Sequence, residues 1–171
     1  MNEETELIYR EEQRFPLWFR WLLVLSMVFA IVLSIFSLPE ILSDQSLPDI
    51  PPTIPIVIVG ICVPIAIAVL FLLLKLETEV RSDGLYIRYF PFHINFKRFT
   101  AEDLRECYAR IYRPILEYGG WGIKCGRKGK AYNVSGNKGV QLVFKSGKQL
   151  LIGSQRVKEL EEAIRSIMES N

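Results

Sequence analysis

Two uncharged apolar blocks decide most of what this chain can be. From Trp21 to Leu38 there are eighteen residues without a charge, and from Ile54 to Leu74 there are twenty-one. A helix rising about 1.5 Å per residue needs roughly 20 residues to cross about 30 Å of hydrocarbon, so both blocks read as membrane spans. A buried core helix would be shorter. A cleaved signal peptide needs a basic leader, a shorter apolar region and a small-x-small cleavage site. Here the leader carries Glu3, Glu4, Glu6, Glu11 and Glu12, and the first block ends in Ser37-Leu38-Pro39-Glu40.

Cationic flanks set the expected orientation, because Lys and Arg near a span are retained in the cytoplasm. The connecting stretch 39–53 has no Lys or Arg. Arg10, Arg14 and Arg20 precede or open the first span, and Lys75, Arg81 and Arg88 follow the second. The expectation is a multi-pass protein of the plasma membrane with both termini cytoplasmic: an N-terminal tail (1–16), a first transmembrane helix (17–38), an extracytoplasmic loop (39–53), a second helix (54–75) and a cytoplasmic domain (76–171). Trp18 and Trp21 fit an inner-leaflet anchor. Neither apolar block holds an ionisable residue of the kind that builds ion pathways, which argues against a channel or transporter. Ser26, Ala30, Ser34 and Ser37 form a stripe of small residues on the first span that suits contact with another membrane protein.

From Leu76 the pattern changes to the alternation of strands with one buried face. Segments 76–81 and 85–90 read as a hairpin around Ser82-Asp83-Gly84, with Leu85, Ile87 and Tyr89 on one face. Further strands are expected at 93–99 and 105–113, one within 118–139, and a second hairpin at 139–144 and 149–152. Thr100 to Asp103 reads as a short capped turn. Ser154 is placed as the N-cap of an amphipathic helix carrying Val157, Leu160, Ile164, Ile167 and Met168 on one face.

About seven strands and one terminal helix is the order of a pleckstrin-homology-like domain, a bent β-sandwich or barrel closed by the helix. The runs Glu117-Tyr118-Gly119-Gly120-Trp121-Gly122-Ile123, Lys130-Ala131-Tyr132-Asn133-Val134-Ser135-Gly136-Asn137 and Leu151-Ile152-Gly153-Ser154-Gln155 resemble segments of an uncharacterised family of small prokaryotic membrane proteins. Its members carry two transmembrane helices and a bacterial pleckstrin-homology-like module. The resemblance implies a fold and no activity.

Candidate sites come from the stretch 118–139, where seven glycines are interleaved with basic residues. Gly120-x-Gly122 has Cys125 where a dinucleotide loop needs glycine, and no Gly-Lys-Ser/Thr closes a P-loop, so no nucleotide or other cofactor is expected. Lys124, Arg127, Lys128, Lys130 and Lys138 form a candidate loop for an anionic ligand, such as lipid headgroups. Tyr118, Trp121, Tyr132 and Asn133, with Tyr112 near them, form a candidate groove. From Lys75 onward the formal charge is +7, against −5 before it, which suits an anionic partner. Nucleic acid is disfavoured by the membrane tether. His93, Glu102, Asp103, Glu106 and Glu117 show no spacing that assembles a nucleophile, base and orienter, so no enzyme is expected. No metal site is expected from Cys62, Cys107, Cys125 and the lone His93. The alternatives are an enzyme on a lipid-linked substrate or an accessory subunit of a membrane complex; the sequence does not give the oligomeric state.

Overall fold

The computed structural model describes residues 6–43, 53–126 and 129–170. The chain divides into two compact units: Phe15–Leu73, and a second unit assembled from the N-terminal residues up to Arg14 together with Leu74 onward.

The first unit is a pair of apolar helices, α1 (Leu17–Ser43) and α2 (Thr53–Leu73). α1 continues past Pro39, where the sequence places the start of a loop; residues 44–52 lie outside the described ones. The helices run antiparallel, since Phe15 and Phe19 at the start of α1 stack edge-on against Phe71 near the end of α2. Gly60 faces Ser34 so closely that a Cβ on the glycine would lie 3.3 Å from the serine oxygen, and part of the small-residue stripe therefore packs against the chain's own second helix. Among the described residues, one helix is long and apolar enough to be a membrane span or a signal sequence, Leu17–Phe36; the uninterrupted apolar stretch Val57–Leu73 is shorter.

The second unit is mainly β. One sheet has the order β1-β2-β3-β4 and the other β5-β8-β9-β7-β6. In the first, β1 (Leu7–Arg14), β2 (Lys75–Arg81), β3 (Gly84–Phe90) and β4 (Lys97–Phe99) pair antiparallel. A 3-10 turn at Ala101–Asp103 leads to β5 (Leu104–Ile111) of the second sheet. A short helix, α3 (Pro114–Tyr118), precedes the hairpin β6 (Gly122–Gly126) and β7 (Gly129–Asn133); β8 (Lys138–Phe144), β9 (Gln149–Gly153) and α4 (Val157–Glu169) follow. β7 runs parallel to β9. Leu85, Ile87 and Tyr89 are buried on one face as their alternation requires, as are Val140 and Leu142. α4 buries Leu160, Ile164 and Ile167 and touches β1 and β2 of one sheet and β5 and β8 of the other, so it bridges the two.

The segment read from sequence as an N-terminal tail is a strand. β1 pairs with β2 from Leu7↔Arg81 to Arg14↔Lys75. Its buried residues are Tyr9, Glu11 and Gln13, and two of these three are polar, which hides the apolar alternation that marks a half-buried strand. Glu11 explains the arrangement. Its carboxylate accepts hydrogen bonds from the Tyr9 hydroxyl (2.7 Å), the Ser154 hydroxyl (2.7 Å) and the Gln155 backbone N–H (2.8 Å). Ser154 Oγ accepts in turn from the Arg156 N–H at 3.0 Å. The residues that lead into α4 are therefore tied to a carboxylate supplied from the other end of the chain, and the cap position is Arg156 rather than Ser154, the N-cap expected from sequence. Gln13 Nε2 adds a bond to the Gly153 carbonyl at 2.6 Å.

A second set of buried carboxylates lies on the face of β2 opposite Leu76 and Val80. Glu77 is held by Lys75 (2.8 Å) and Arg88, and Glu79 by Arg81 (2.6 Å) and Arg10 (3.5 Å). Burial alone would raise the Glu77 carboxyl, but hydrogen bonds from Arg88 and Lys75 outweigh it and hold the group below its usual range.

Glu11→Ala leaves a buried hydroxyl and the Gln155 backbone N–H without their acceptor and is expected to cost about 2–4 kcal/mol in thermal or denaturant unfolding. The double variant Glu11→Ala/Ser154→Ala is expected to cost less than the two single variants together, because the two side chains share one bond. Glu77→Gln is expected to cost about 1–2 kcal/mol at neutral pH, since its cationic partners keep some solvent contact. Because the folded-state carboxyl is depressed, its contribution is complete above the unfolded value of 4.5 and disappears as pH falls through the folded value. The unfolding midpoints of Glu77→Gln and the parent should therefore converge in acid.

Candidate ligand-binding cleft

The two sheets part along the β4 edge of the first and the β7–β9 pair of the second, leaving a cleft of about 500 Å³. The alternation of each strand decides what lines it. On β4, Lys97 and Phe99 share a face; on β7, Lys130 and Tyr132 do. Phe99 and Phe144 meet across the sheets with ring centroids 5.5 Å apart and form an apolar floor with Tyr132 and Leu150. Lys148 enters from the β8–β9 turn. The Lys97 ammonium donates to the Tyr132 hydroxyl at 3.3 Å and lies 5.7 Å from the ring centroid. Lys97, Lys130 and Lys148 are exposed, and no carboxylate is among the described lining residues. Three cations on an aromatic floor can attract and hold an anionic group that carries an apolar portion.

One glycine makes this wall possible. Gly129 opens β7 at φ +88°, and a Cβ there would fall 2.1 Å from the Gln149 carbonyl oxygen. The parallel approach of β7 to β9 requires glycine at that point.

The basic loop expected from sequence divides on folding. Lys130 lines the cleft. Lys124 is paired with Ala131, the next residue on β7, and so lies on the opposite face of the sheet. Lys138 stands at the start of β8 beside Ile111, and Arg127 and Lys128 lie outside the described residues. Lys97 and Lys148 join Lys130 from a strand and a turn outside the stretch 118–139. Period-two counting on 97–99 pairs Lys97 with Phe99, and that was the available signal.

Of the aromatic groove set, Tyr132 borders the cleft, while Tyr118 and Asn133 are buried as structural groups. Tyr118 packs with Tyr112, Ala131 and Leu151. Asn133 accepts from the Gly122 N–H at 2.9 Å and donates to the Tyr112 hydroxyl at 3.0 Å. The Trp121 indole N–H donates to the Gly136 carbonyl at 2.9 Å. Burial raises the Tyr112 and Tyr118 phenols, keeping them neutral.

The groups considered for catalysis have separate partners. His93 meets Tyr132 edge-on at 5.6 Å, and burial, followed by the nearby Lys97 charge, pushes its imidazole below the usual range. Glu117 binds Arg110 at 2.7 Å and accepts from the Arg113 N–H at 2.8 Å, and Asp103 accepts from Thr100 at 2.7 Å. Among the described residues no group of three or more His, Cys, Asp or Glu could hold a metal ion. Cys62, Cys107 and Cys125 are free thiols.

Fold and site together define a two-sheet β domain with a cationic cleft, interrupted between its first two strands by a pair of apolar helices. The chain belongs to a family of unknown function, DUF6141, whose family model matches residues 1–171. No curated protein matches it.

Replacing Gly129 with Ala is expected to cost about 2–3 kcal/mol through backbone strain and the clash with Gln149. Gly147→Ala is the control: its φ is +80° with nothing within 4 Å of the added carbon, so about 1 kcal/mol is expected. Paired thermal unfolding measurements on the two variants separate the clash from the strain.

Proposed function

We propose that this chain is a noncatalytic, membrane-anchored binding module: two helices hold the β domain at the cytoplasmic face of the plasma membrane, where the domain binds an anionic group. The lysine cleft carries the binding half of this reading. Lys97, Lys130 and Lys148 line one cleft with Phe99, Tyr132 and Phe144 and with no carboxylate among the described lining residues, an arrangement that favours anions and costs stability when empty of counter-charge.

The anchoring half is supported by a register pair. Arg14 and Lys75 are opposite one another in the β1–β2 ladder, and all of α1 and α2 lies between them in the chain. Strands that share hydrogen bonds lie on the same side of a bilayer, so the excursion between them crosses an even number of times. If α1 spans, α2 spans back. At 21 residues α2 reaches about 31 Å at 1.5 Å per residue, enough for the hydrocarbon core. A signal peptide removed after α1 would take β1 and Glu11 with it. The Lys- and Arg-free connection supports placing both termini inside.

A strand-rich unit ended by one amphipathic helix that touches both sheets supports the pleckstrin-homology-like reading. The parallel β7–β9 pair departs from an all-antiparallel sandwich, so the likeness is one of architecture.

The test uses the full chain, because β1 belongs to the domain. The protein in neutral-lipid nanodiscs is mixed with phosphatidylglycerol vesicles, or with inositol hexakisphosphate as a soluble probe. Salt-sensitive binding is expected, weakened roughly tenfold or more by Lys97→Glu, Lys130→Glu and Lys148→Glu together, at on the order of 1 kcal/mol per cation. Lys124→Glu with Lys138→Glu should change it little. Equal loss in both sets, or no binding to either probe, removes the cleft from the account.

A further inference from the structure

We infer that the β3–β4 loop, residues 91–96, is a wedge that enters the interfacial layer of the bilayer through Phe92 and Ile94; this rests on the membrane-anchored reading above. Three observations converge on it.

The first is exposure. Phe92 is 60% and Ile94 76% exposed, two large apolar side chains on one short connection.

The second is that the loop is held in shape. The His93 N–H donates to the Tyr89 carbonyl at 2.8 Å, Arg88 Nη1 donates to the Ile94 carbonyl at 3.4 Å, and the Arg88 guanidinium lies 4.5 Å from the centroid of the Phe96 ring. The Phe92 ring is 6.3 Å from that of Tyr89. An ordered loop presents its apolar tips without a further ordering cost on insertion.

The third is position along the strands. Lys75 is paired on one side with Arg14 and on the other with Phe90. That row of the sheet is where the chain departs toward α1 and returns from α2, with only Leu74 between the end of α2 and β2. The β3–β4 loop begins at Pro91, one residue beyond the same row. A sheet whose last row is joined this closely to membrane-spanning helices has its following loop at headgroup depth, where exposed Phe and Ile gain by burial. The lysine cleft lies farther along the sheet: Lys97 is opposite Ile87 and Phe99 opposite Leu85, which at about 3.3 Å per residue is roughly 10–17 Å from the junction row.

The cations of this end are already paired, Arg14 with Glu12 and Arg88 with Glu77. Insertion is therefore driven by apolar contact and is insensitive to salt, unlike binding in the cleft.

The measurement is tryptophan fluorescence of the full chain in bilayers whose acyl chains carry bromine. One protein has Trp18, Trp21 and Trp121 changed to Phe and carries Phe92→Trp; a companion carries Ile94→Trp in that background. A third has only Trp121→Phe and keeps Trp18 and Trp21 in α1 as the reference. Blue-shifted emission from position 92 or 94, quenched at least twofold by brominated lipid at low and high salt alike, is the expected result. Water-like, unquenched emission from both positions while Trp18 and Trp21 are quenched overturns the wedge and leaves the anchor standing. If the reference is also unquenched, the wedge and the anchor fall together.

Discussion

The ladder between β1 and β2 runs from Leu7↔Arg81 to Arg14↔Lys75. It joins two segments separated in the chain by both apolar helices, and closing so long a connection costs entropy that the ladder's bonds must offset. Glu11 supplies much of the reason the strand stays. Its carboxylate serves three donors, two of them at the entry to α4, so the first strand, the terminal helix and the end of β9 form one hydrogen-bonded unit. A buried carboxylate is tolerated when both of its oxygens accept hydrogen bonds, as they do here. The same ladder ties the two ends of the helical pair to adjacent positions in one sheet.

The cleft depends on a different balance. Several cations of this domain are neutralised where they stand: Lys75, Arg81, Arg88 and Arg110 each meet a carboxylate within 2.8 Å. Lys97, Lys130 and Lys148 stand instead around aromatic rings. A local excess of one charge sign over a low-dielectric floor concentrates the field, and Gly129 lets β7 approach β9 closely enough to form that floor.

Much of the fold was legible, and the exceptions have physical causes. The hairpin at β2–β3 follows from the alternation ending in Tyr89, and α4 follows from Leu160, Ile164 and Ile167 at helical spacing. β1 was not legible, because Glu11 and Gln13 are buried by hydrogen bonds to residues near position 154, and hydropathy cannot register a polar core. The stretch 118–139 yields two strands where one was expected, since β6 reads Gly-Ile-Lys-Cys-Gly and β7 Gly-Lys-Ala-Tyr-Asn, both short and glycine-bounded. The candidate site was half legible. Lys130 and Tyr132 were in the right stretch, but the grouping by sequence proximity joined Lys124 to Lys130, which alternation puts on opposite faces. Alternation puts Lys97 on the Phe99 face, but that this face and Lys148 meet Lys130 follows from tertiary packing, which no local pattern reveals.

We propose above that the two helices between β1 and β2 cross the bilayer and return. The most direct test of that crossing is the labelling of single cysteines by a membrane-impermeant maleimide in right-side-out vesicles, in a background with Cys62 and Cys107 replaced. A cysteine at position 44 should react at once, whereas Cys125, and a cysteine at position 6 in a Cys125-free variant, should react only after the vesicles are opened. Reaction of positions 6 and 125 from opposite sides, or of 44 and 125 from the same side, would contradict it.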